Sequence, residues 1–185
     1  MRILAISGSM RSESSNTALL KEIACLASQW DESIQIEIFN SHDKLPIFSP
    51  DKEGDNTPPA VLELCEKIAL SNGIIISSPE YIRSIPGGLK NTIDWLVSRT
   101  EIIKKPIVLV HASHRGSDVL TSLRIVLSTI SENFSDEVFL QIPLIGKNED
   151  EVRQIVNSEE FKPFIIGFIT DYIKYINHTT PPVFQ

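Results

Sequence analysis

The chain has 185 residues, of which 42% are hydrophobic and 22% charged, and a formal net charge of −7. This length allows one domain with a sizeable core, so we expect residues 1–185 to form a single domain. The acidic balance disfavours nucleic acid and anionic membrane surfaces as partners. The sequence has no signal-peptide pattern and no apolar run of membrane-spanning length, which predicts a cytoplasmic protein.

The two cysteines, Cys25 and Cys65, both lie in apolar stretches of helical periodicity. They form neither a CxxC pair nor part of a metal-ligand cluster. We therefore predict that both are small core residues and that the chain holds no metal.

The chain begins with a short apolar run at Ile3–Ile6, followed by a polar loop and a helical pattern at Asn16–Gln29. This is the order of a βα unit, in which the loop leads onto a helix N-terminus that favours an anion. The loop donors suit a phosphate monoester, and they come from Ser7, Ser9, Ser12, Ser14, Ser15, Arg11 and Asn16. A solvated turn with an ordinary N-cap at Asn16 or Thr17 is the alternative interpretation.

Strand and helix patterns then alternate along the chain. Ile34, Ile36 and Ile38 alternate with polar residues, which predicts a strand with one exposed face near a sheet edge. The later predicted elements are a long loop at Asn40–Pro59, a helix to Ala69, a strand at Gly73–Ser78, a loop at Pro79–Gly88, a helix at Leu89–Arg99, a strand at Ile107–Val110, a loop at His111–Asp118, a helix to Glu132, a strand at Val138–Ile142 and a mostly helical tail at Glu149–Asn177.

Five strands alternating with helices predict an α/β fold with a parallel sheet covered by helices on both faces. The common doubly wound order for such a chain is the flavodoxin-like 2-1-3-4-5. Ligands of these sheets bind beyond the carboxyl ends of the strands, at the switch point between strands 1 and 3. We therefore expect the site among Gly8–Asn16, Pro79–Pro86 and Ala112–Ser117, which we call loops 1, 2 and 3.

Several functions of related folds are excluded by the residues at these positions. A receiver domain needs an acidic cluster after strand 1, and a low-molecular-weight tyrosine phosphatase needs a cysteine in loop 1; Ser7-Gly8-Ser9 offers neither. The sequence lacks the G-x-S-x-G of serine hydrolases and both glycine fingerprints of dinucleotide and P-loop sites. A mononucleotide such as FMN remains, with its phosphate on loop 1.

Two motifs resemble the NADPH-dependent FMN reductase family of flavin, quinone, azo and chromate reductases. Loop 1 resembles the family's GSxRxxSxN pattern, and residues 79–95 resemble PEYNxSIPGxLKNxIDW. The resemblance implies a flavodoxin-like fold, bound FMN, and NADPH or NADH as electron donor. It also implies a homodimer or homotetramer that passes hydride through FMN to a flavin, quinone or similar small-molecule acceptor.

The same resemblance implies a set of cofactor contacts and no catalytic side chain, because the cofactor supplies the chemistry. The phosphate contacts would come from loop 1, the ring contacts from loop 2, and further contacts from loop 3. These residues are, in that order, Ser9, Arg11, Ser14, Ser15 and Asn16; Pro79, Glu80, Tyr81 and Ile82; and Ser113, His114, Arg115 and Gly116. The chain departs from the family at Ile82, where asparagine is usual, and at Arg83, and loop 3 is less glycine-rich.

Arg83 is a candidate substrate-binding residue. An acidic chain needs local cations to attract a pyridine nucleotide, and a guanidinium can hold a phosphate bidentately. We hypothesise that Arg83 binds the phosphates of NAD(P)H; a surface or interface ion pair is the alternative.

Two other functions remain open at this level: a flavodoxin-type electron carrier that binds FMN without a nicotinamide site, and a regulatory module without flavin. Among the histidines, we expect His42 and His178 to be solvated and His111 to be structural. Trp95 is expected to pack in the core, and Lys90 and Asp94 to form a solvated pair.

Overall fold

The structure, a computed structural model, describes residues 1–179. Its centre is a five-stranded, all-parallel sheet in the order β2-β1-β3-β4-β5. The strands are β1 at Arg2–Ser7, β2 at Gln35–Phe39, β3 at Gly73–Ser77, β4 at Ile107–His111 and β5 at Phe134–Gln141. The predicted fold class and strand order are therefore confirmed.

Six α-helices connect and cover the strands: α1 at Ser15–Trp30, α2 at Pro59–Leu70, α3 at Gly87–Asp94, α4 at Ser117–Ile130, α5 at Glu149–Val156 and α6 at Lys162–Thr179. Successive side chains along each strand point to opposite faces of the sheet. Ile3 and Ala5 pack with α1, α5 and α6, whereas Leu4 and Ile6 pack with α2, α3 and α4. Among residues 1–179, no helix is long and apolar enough to cross a bilayer.

The largest differences between the observed and the predicted bounds are in three places. Strand β5 begins at Phe134 rather than Val138, because Phe134 already pairs with Ile107. A register shift follows this pair, so the sequence shows no regular strand pattern before Val138. Helix α3 ends at Asp94, where tighter i→i+3 turns replace the helix. The tail forms two helices, α5 and α6, separated at residues 157–161.

The last of these helices is fastened to the middle of the sheet by a buried tyrosine. The Tyr172 hydroxyl lies 2.9 Å from the carbonyl oxygen of Ile74 and 3.0 Å from that of Pro106. A Cβ at Gly73 would lie 2.3 Å from the same hydroxyl. The absence of a side chain at Gly73 therefore lets α6 approach strand β3.

The long loop between β2 and α2 contains three 3₁₀ turns at His42–Lys44, Pro50–Lys52 and Gly54–Asn56. Asn91 and Trp95 fasten it to the region of α3, since the side chains of both donate to the carbonyl of Pro46, at 3.0 and 2.7 Å. Trp95 is 1% exposed, which confirms its predicted packing role.

Two predictions for single side chains are wrong. His42 is buried, because its ring bridges the carbonyl oxygen of Ser7 and the hydroxyl of Thr92, at 2.5 and 2.6 Å. Cys25 lies on the outer side of α1 and is exposed, whereas Cys65 is buried as expected. The exposed His178 agrees with the sequence.

Candidate functional site

The three loops meet at one edge because the strands that precede them are neighbours in register. Ser7 pairs with Ser77, Ser77 pairs with Val110, and His111 pairs with Gln141. Loop 1 begins against loop 2, since a Cβ at Gly8 would lie 2.8 Å from the Ser78 hydroxyl oxygen. The carboxyl edge of the sheet is therefore built by loops 1, 2 and 3 together.

Loop 1 presents backbone donors at the start of α1. Ser14 is the N-cap, and its hydroxyl accepts from Thr17 N at 3.4 Å. The backbone N–H groups of residues 12, 13, 15 and 16 have no acceptor among residues 1–179. The first turn of a helix leaves such groups open, and they attract an anion. Loop 1 thus fits a phosphate group.

The predicted loop 1 side chains divide into two groups. Arg11, Ser14 and Ser15 lie at the surface or half-buried, whereas Ser9 and Asn16 are buried. Asn16 Oδ1 accepts from the Ser77 hydroxyl at 2.9 Å, so this amide also connects α1 to β3.

Loop 2 is a tight hairpin. Tyr81 and Ser84 exchange two backbone hydrogen bonds of 3.1 and 3.0 Å around Ile82 and Arg83. Both central residues have a positive φ, +50° and +58° respectively. This is the backbone of a type I′ turn, which fixes the path of the chain after Pro79.

Two side chains connect loop 2 to the first turn of α4. The carboxylate of Glu80 accepts from Val119 N at 3.0 Å and caps the helix. The guanidinium of Arg83 pairs with Asp118 at 2.5 Å, and this hydrogen bond raises the pKa of Arg83. The ion pair corresponds to the alternative interpretation of Arg83, although its partner lies within the chain.

Loop 3 is held by side chains on two neighbouring strands. His111 Nε2 donates to the carbonyl of Arg115 at 2.5 Å, and Gln141 Nε2 donates to that of Ser113 at 2.7 Å. Gly116 has φ of +96°, and a Cβ there would lie 2.9 Å from His111 Nε2. Glycine is required here for two reasons: a side chain would be strained at this positive φ, and it would collide with the ring of His111. His111 is thus structural, as predicted, but it is not fully satisfied, because its buried Nδ1 has no hydrogen-bond partner among residues 1–179.

The free positive charges at this edge are few. Arg115 is exposed on loop 3, and within the described part of the chain neither Arg11 nor Arg115 is in an ion pair. Lys21 and Lys147, which line a cleft of about 190 Å³ beside loop 1, are paired with Glu149 and Glu151. Arg11 is therefore the cation best placed for a phosphate on loop 1.

Sequence reasoning overlooked the residues that support the loops rather than line them. Asp118 and Gln141 contact loops 2 and 3 from elsewhere in the chain, and His42 contacts the carbonyl of Ser7, the last residue before loop 1. Gln141 ends the strand next to His111, so its place at a strand's carboxyl end was a usable signal. For His42 and Asp118 the partners are 35 residues away, and no local pattern marks them.

A doubly wound parallel sheet of order 2-1-3-4-5 defines the flavodoxin-like class of α/β proteins, to which this fold belongs. The family model described as NADPH-dependent FMN reductase matches residues 1–137. This match covers more than half of the chain, and the protein belongs to that family.

Two relatives and one solved structure illustrate the similarity. The chain is 37% identical to a 2-hydroxy-1,4-benzoquinone reductase of a Burkholderia species, over 95% of this chain and 96% of that protein. It is 32% identical to the quinone reductase of Escherichia coli K12, over 63% of this chain and 61% of that protein. Overall, the chain spans only 54 to 61% of the length of several curated relatives.

Among solved structures, FerB, a flavoenzyme NAD(P)H:(acceptor) oxidoreductase from Paracoccus denitrificans, superposes with a TM-score of 0.74. The match covers 96% of this chain and 98% of that chain at 21% sequence identity. At this identity the likeness is one of fold.

Proposed function

We propose that the protein binds FMN at the carboxyl edge of the sheet and passes hydride from NADPH or NADH to a quinone-type acceptor. The observation that carries the proposal is the start of α1, where backbone N–H groups lack acceptors among residues 1–179. A phosphate monoester would satisfy them, with Arg11 as counter-charge. The missing dinucleotide fingerprint favours FMN over FAD.

The other cofactor contacts follow from the positions of the loops. Ser9, Ser14, Ser15 and Asn16 would surround the phosphate together with Arg11. The backbone of Pro79, Glu80, Tyr81 and Ile82 would run along the ring, and Ser113, His114, Arg115 and Gly116 would border it from loop 3. The hairpin and its anchors on α4 would hold the ring wall in one conformation before the cofactor arrives.

FMN, when bound, supplies the redox chemistry by accepting a hydride from the nicotinamide and giving two electrons to the acceptor. With a quinone as acceptor, NAD(P)H, the quinone and one proton become NAD(P)⁺ and a hydroquinone. The chain itself binds and orients the reactants. Arg115 is available to attract the nucleotide's phosphates to an acidic protein, and Arg83 would join it by exchanging its partner Asp118 for a phosphate.

The quinone-type acceptor is supported by the names of two relatives, both quinone reductases. A homodimer or homotetramer is supported by the family resemblance and by the open position of the site at the surface. We also propose that the chain acts as a single domain in the cytoplasm, where the free thiols of Cys25 and Cys65 would stay reduced.

Anaerobic mixing of the purified, FMN-loaded chain with NADPH tests the function. We expect the yellow flavin absorption to bleach and to return when a benzoquinone is added. A yellow protein that NADPH does not bleach would instead be an electron carrier, and a chain that takes up no FMN would contradict the proposal.

A further inference from the structure

The tip of loop 2 contains a residue that is unfavourable for its backbone. Ile82 has φ of +50° at the first central position of the turn, and Arg83 has +58° at the second. Type I′ turns prefer asparagine and glycine at these positions. A β-branched residue in the left-handed region is an outlier, because its branched Cβ crowds the backbone.

Two anchors keep the turn in this conformation. Glu80, just before the hairpin, accepts from Val119 N at 3.0 Å, and Arg83, within the turn, pairs with Asp118 at 2.5 Å. Strained backbone persists only where its surroundings hold it, and it concentrates at functional sites. Ile82 lies between these two anchors.

The strain does not serve packing within the chain, since Ile82 is 99% exposed. Two other large apolar side chains on the same edge are also open to solvent, Tyr81 at 42% and Met10 at 56%. Met10, in loop 1, lies against the first turn of α3, the helix that follows loop 2, because a Cβ at Gly88 would be 2.8 Å from its sulfur. Tyr81 and Ile82 therefore give loop 2 an exposed apolar tip, and Met10 adds apolar surface on the same edge.

We infer that Ile82 is a specificity-determining residue whose side chain contacts the planar apolar ring of the electron acceptor. The inference rests on the proposed function, in which the acceptor reaches a flavin that lies along the backbone of residues 79–82. The side chain of Ile82 extends into the solvent from which that acceptor arrives. Its apolar surface favours a substituted quinone over a small hydrophilic acceptor.

The test is Ile82→Asn in the FMN-loaded full chain, because asparagine relieves the turn and removes the apolar contact. We expect the thermal midpoint to rise by about 2–4 °C, the shift typical of a chain this size when one such strain is removed. We divide kcat/KM for a methyl-naphthoquinone by kcat/KM for ferricyanide, and this ratio should fall by about five- to ten-fold. A fall of this size is expected if the bound quinone buries about half of the isoleucine side chain and that contact is lost. A purely structural role would not move stability and specificity in opposite directions.

Two further variants separate the causes. Ile82→Leu keeps an apolar tip and should retain the wild-type ratio. Ile125→Asn removes an isoleucine that is 63% exposed on α4 and should leave the ratio as in the wild type.

An unchanged ratio in Ile82→Asn, with an active wild type, overturns the inference. A changed molar mass by light scattering together with an unchanged ratio also overturns it, since Ile82 would then be a subunit contact. If the wild type reduces no acceptor with NADPH, the proposed function fails and takes the inference with it.

Discussion

Loops 1 and 2 lie side by side at the same edge of the sheet, yet they use their polar groups in opposite ways. In loop 1, backbone N–H groups and the guanidinium of Arg11 lack partners among residues 1–179. In loop 2, Glu80 and Arg83 are both engaged with the first turn of α4. Loop 1 is therefore built to receive an anion, whereas loop 2 is built to keep a shape.

This difference sets what each loop contributes to binding. Open donors at a helix N-terminus remain hydrated at little cost until a phosphate replaces the water. A loop already held by its own side chains loses little conformational freedom when a ligand arrives. Changes in loop 1 should thus alter affinity, and changes in loop 2 should alter stability.

The largest expected effect is that of Arg11→Ala on FMN affinity. Loss of a charge-assisted hydrogen bond should weaken binding by about 1.5–3 kcal/mol. The free energy of unfolding of the apoprotein should stay within about 0.5 kcal/mol of wild type, as for surface changes without partners. Fluorescence titration and urea unfolding measure the two quantities.

Lys162→Ala on α6 is the matched control, since it removes an exposed cation away from loop 1. It should change neither quantity. Equal FMN affinity in Arg11→Ala and in Lys162→Ala would place the phosphate elsewhere.

Glu80→Ala should show the opposite pattern, with stability affected first. Loss of the cap on α4 should lower the free energy of unfolding by about 0.5–2 kcal/mol. Glu80→Gln keeps an oxygen acceptor for Val119 N and should recover most of it. Urea unfolding of the apoprotein is the measurement, and an FMN defect without a stability defect would contradict the structural role of loop 2.

A smaller effect is expected for the pH dependence of stability, and it comes from His42 at the base of loop 1. Burial is the main reason why the pKa of His42 is lowered below 6.5. As the pH is lowered, His42 is therefore protonated in the unfolded chain before it is protonated in the folded one. The contribution of the neutral His42 to the free energy of unfolding is present above about pH 6.5 and is lost as the pH falls towards the folded pKa. His42→Gln should flatten the dependence of urea unfolding on pH in this range. A slope equal to wild type would mean that other groups cause it.

The smallest effect should follow from changes at the exposed Arg83–Asp118 pair. If Arg83 binds the nucleotide phosphates, Arg83→Ala should raise the KM for NADPH with normal FMN content. Asp118→Asn should lower that KM, because it releases the guanidinium from its internal partner. Steady-state kinetics of both variants give the answer, and unchanged KM values in both would leave Arg83 only as an anchor of the hairpin.

The sequence predicts the sheet order well because each buried strand is a continuous run of apolar residues. Residues 73–78 and 107–110 can serve only strands covered on both faces, and the edge strand β2 shows its exposure by alternation. Element ends are less predictable, because the start of β5 depends on pairing with β4 across a register shift.

The shape of the site is predictable only where it depends on local chemistry. The donors of loop 1 follow from its serines and from the helix after it. The support of loops 2 and 3 depends on partners brought close by the fold, such as Asp118 for Arg83 and Gln141 for Ser113. The buried position of His42 likewise requires Thr92, 50 residues along the chain.

The tyrosine that fastens α6 to the sheet has a consequence for the order in which the molecule is made. The carbonyl of Ile74 is synthesised 98 residues before the hydroxyl that binds it. Until α6 leaves the ribosome, the apolar cluster that contains Ile75 and Val108 lacks the side chains that this helix adds to it. Contacts between distant parts of a chain form late. The nascent chain should therefore need protection from aggregation until Tyr172 is in place.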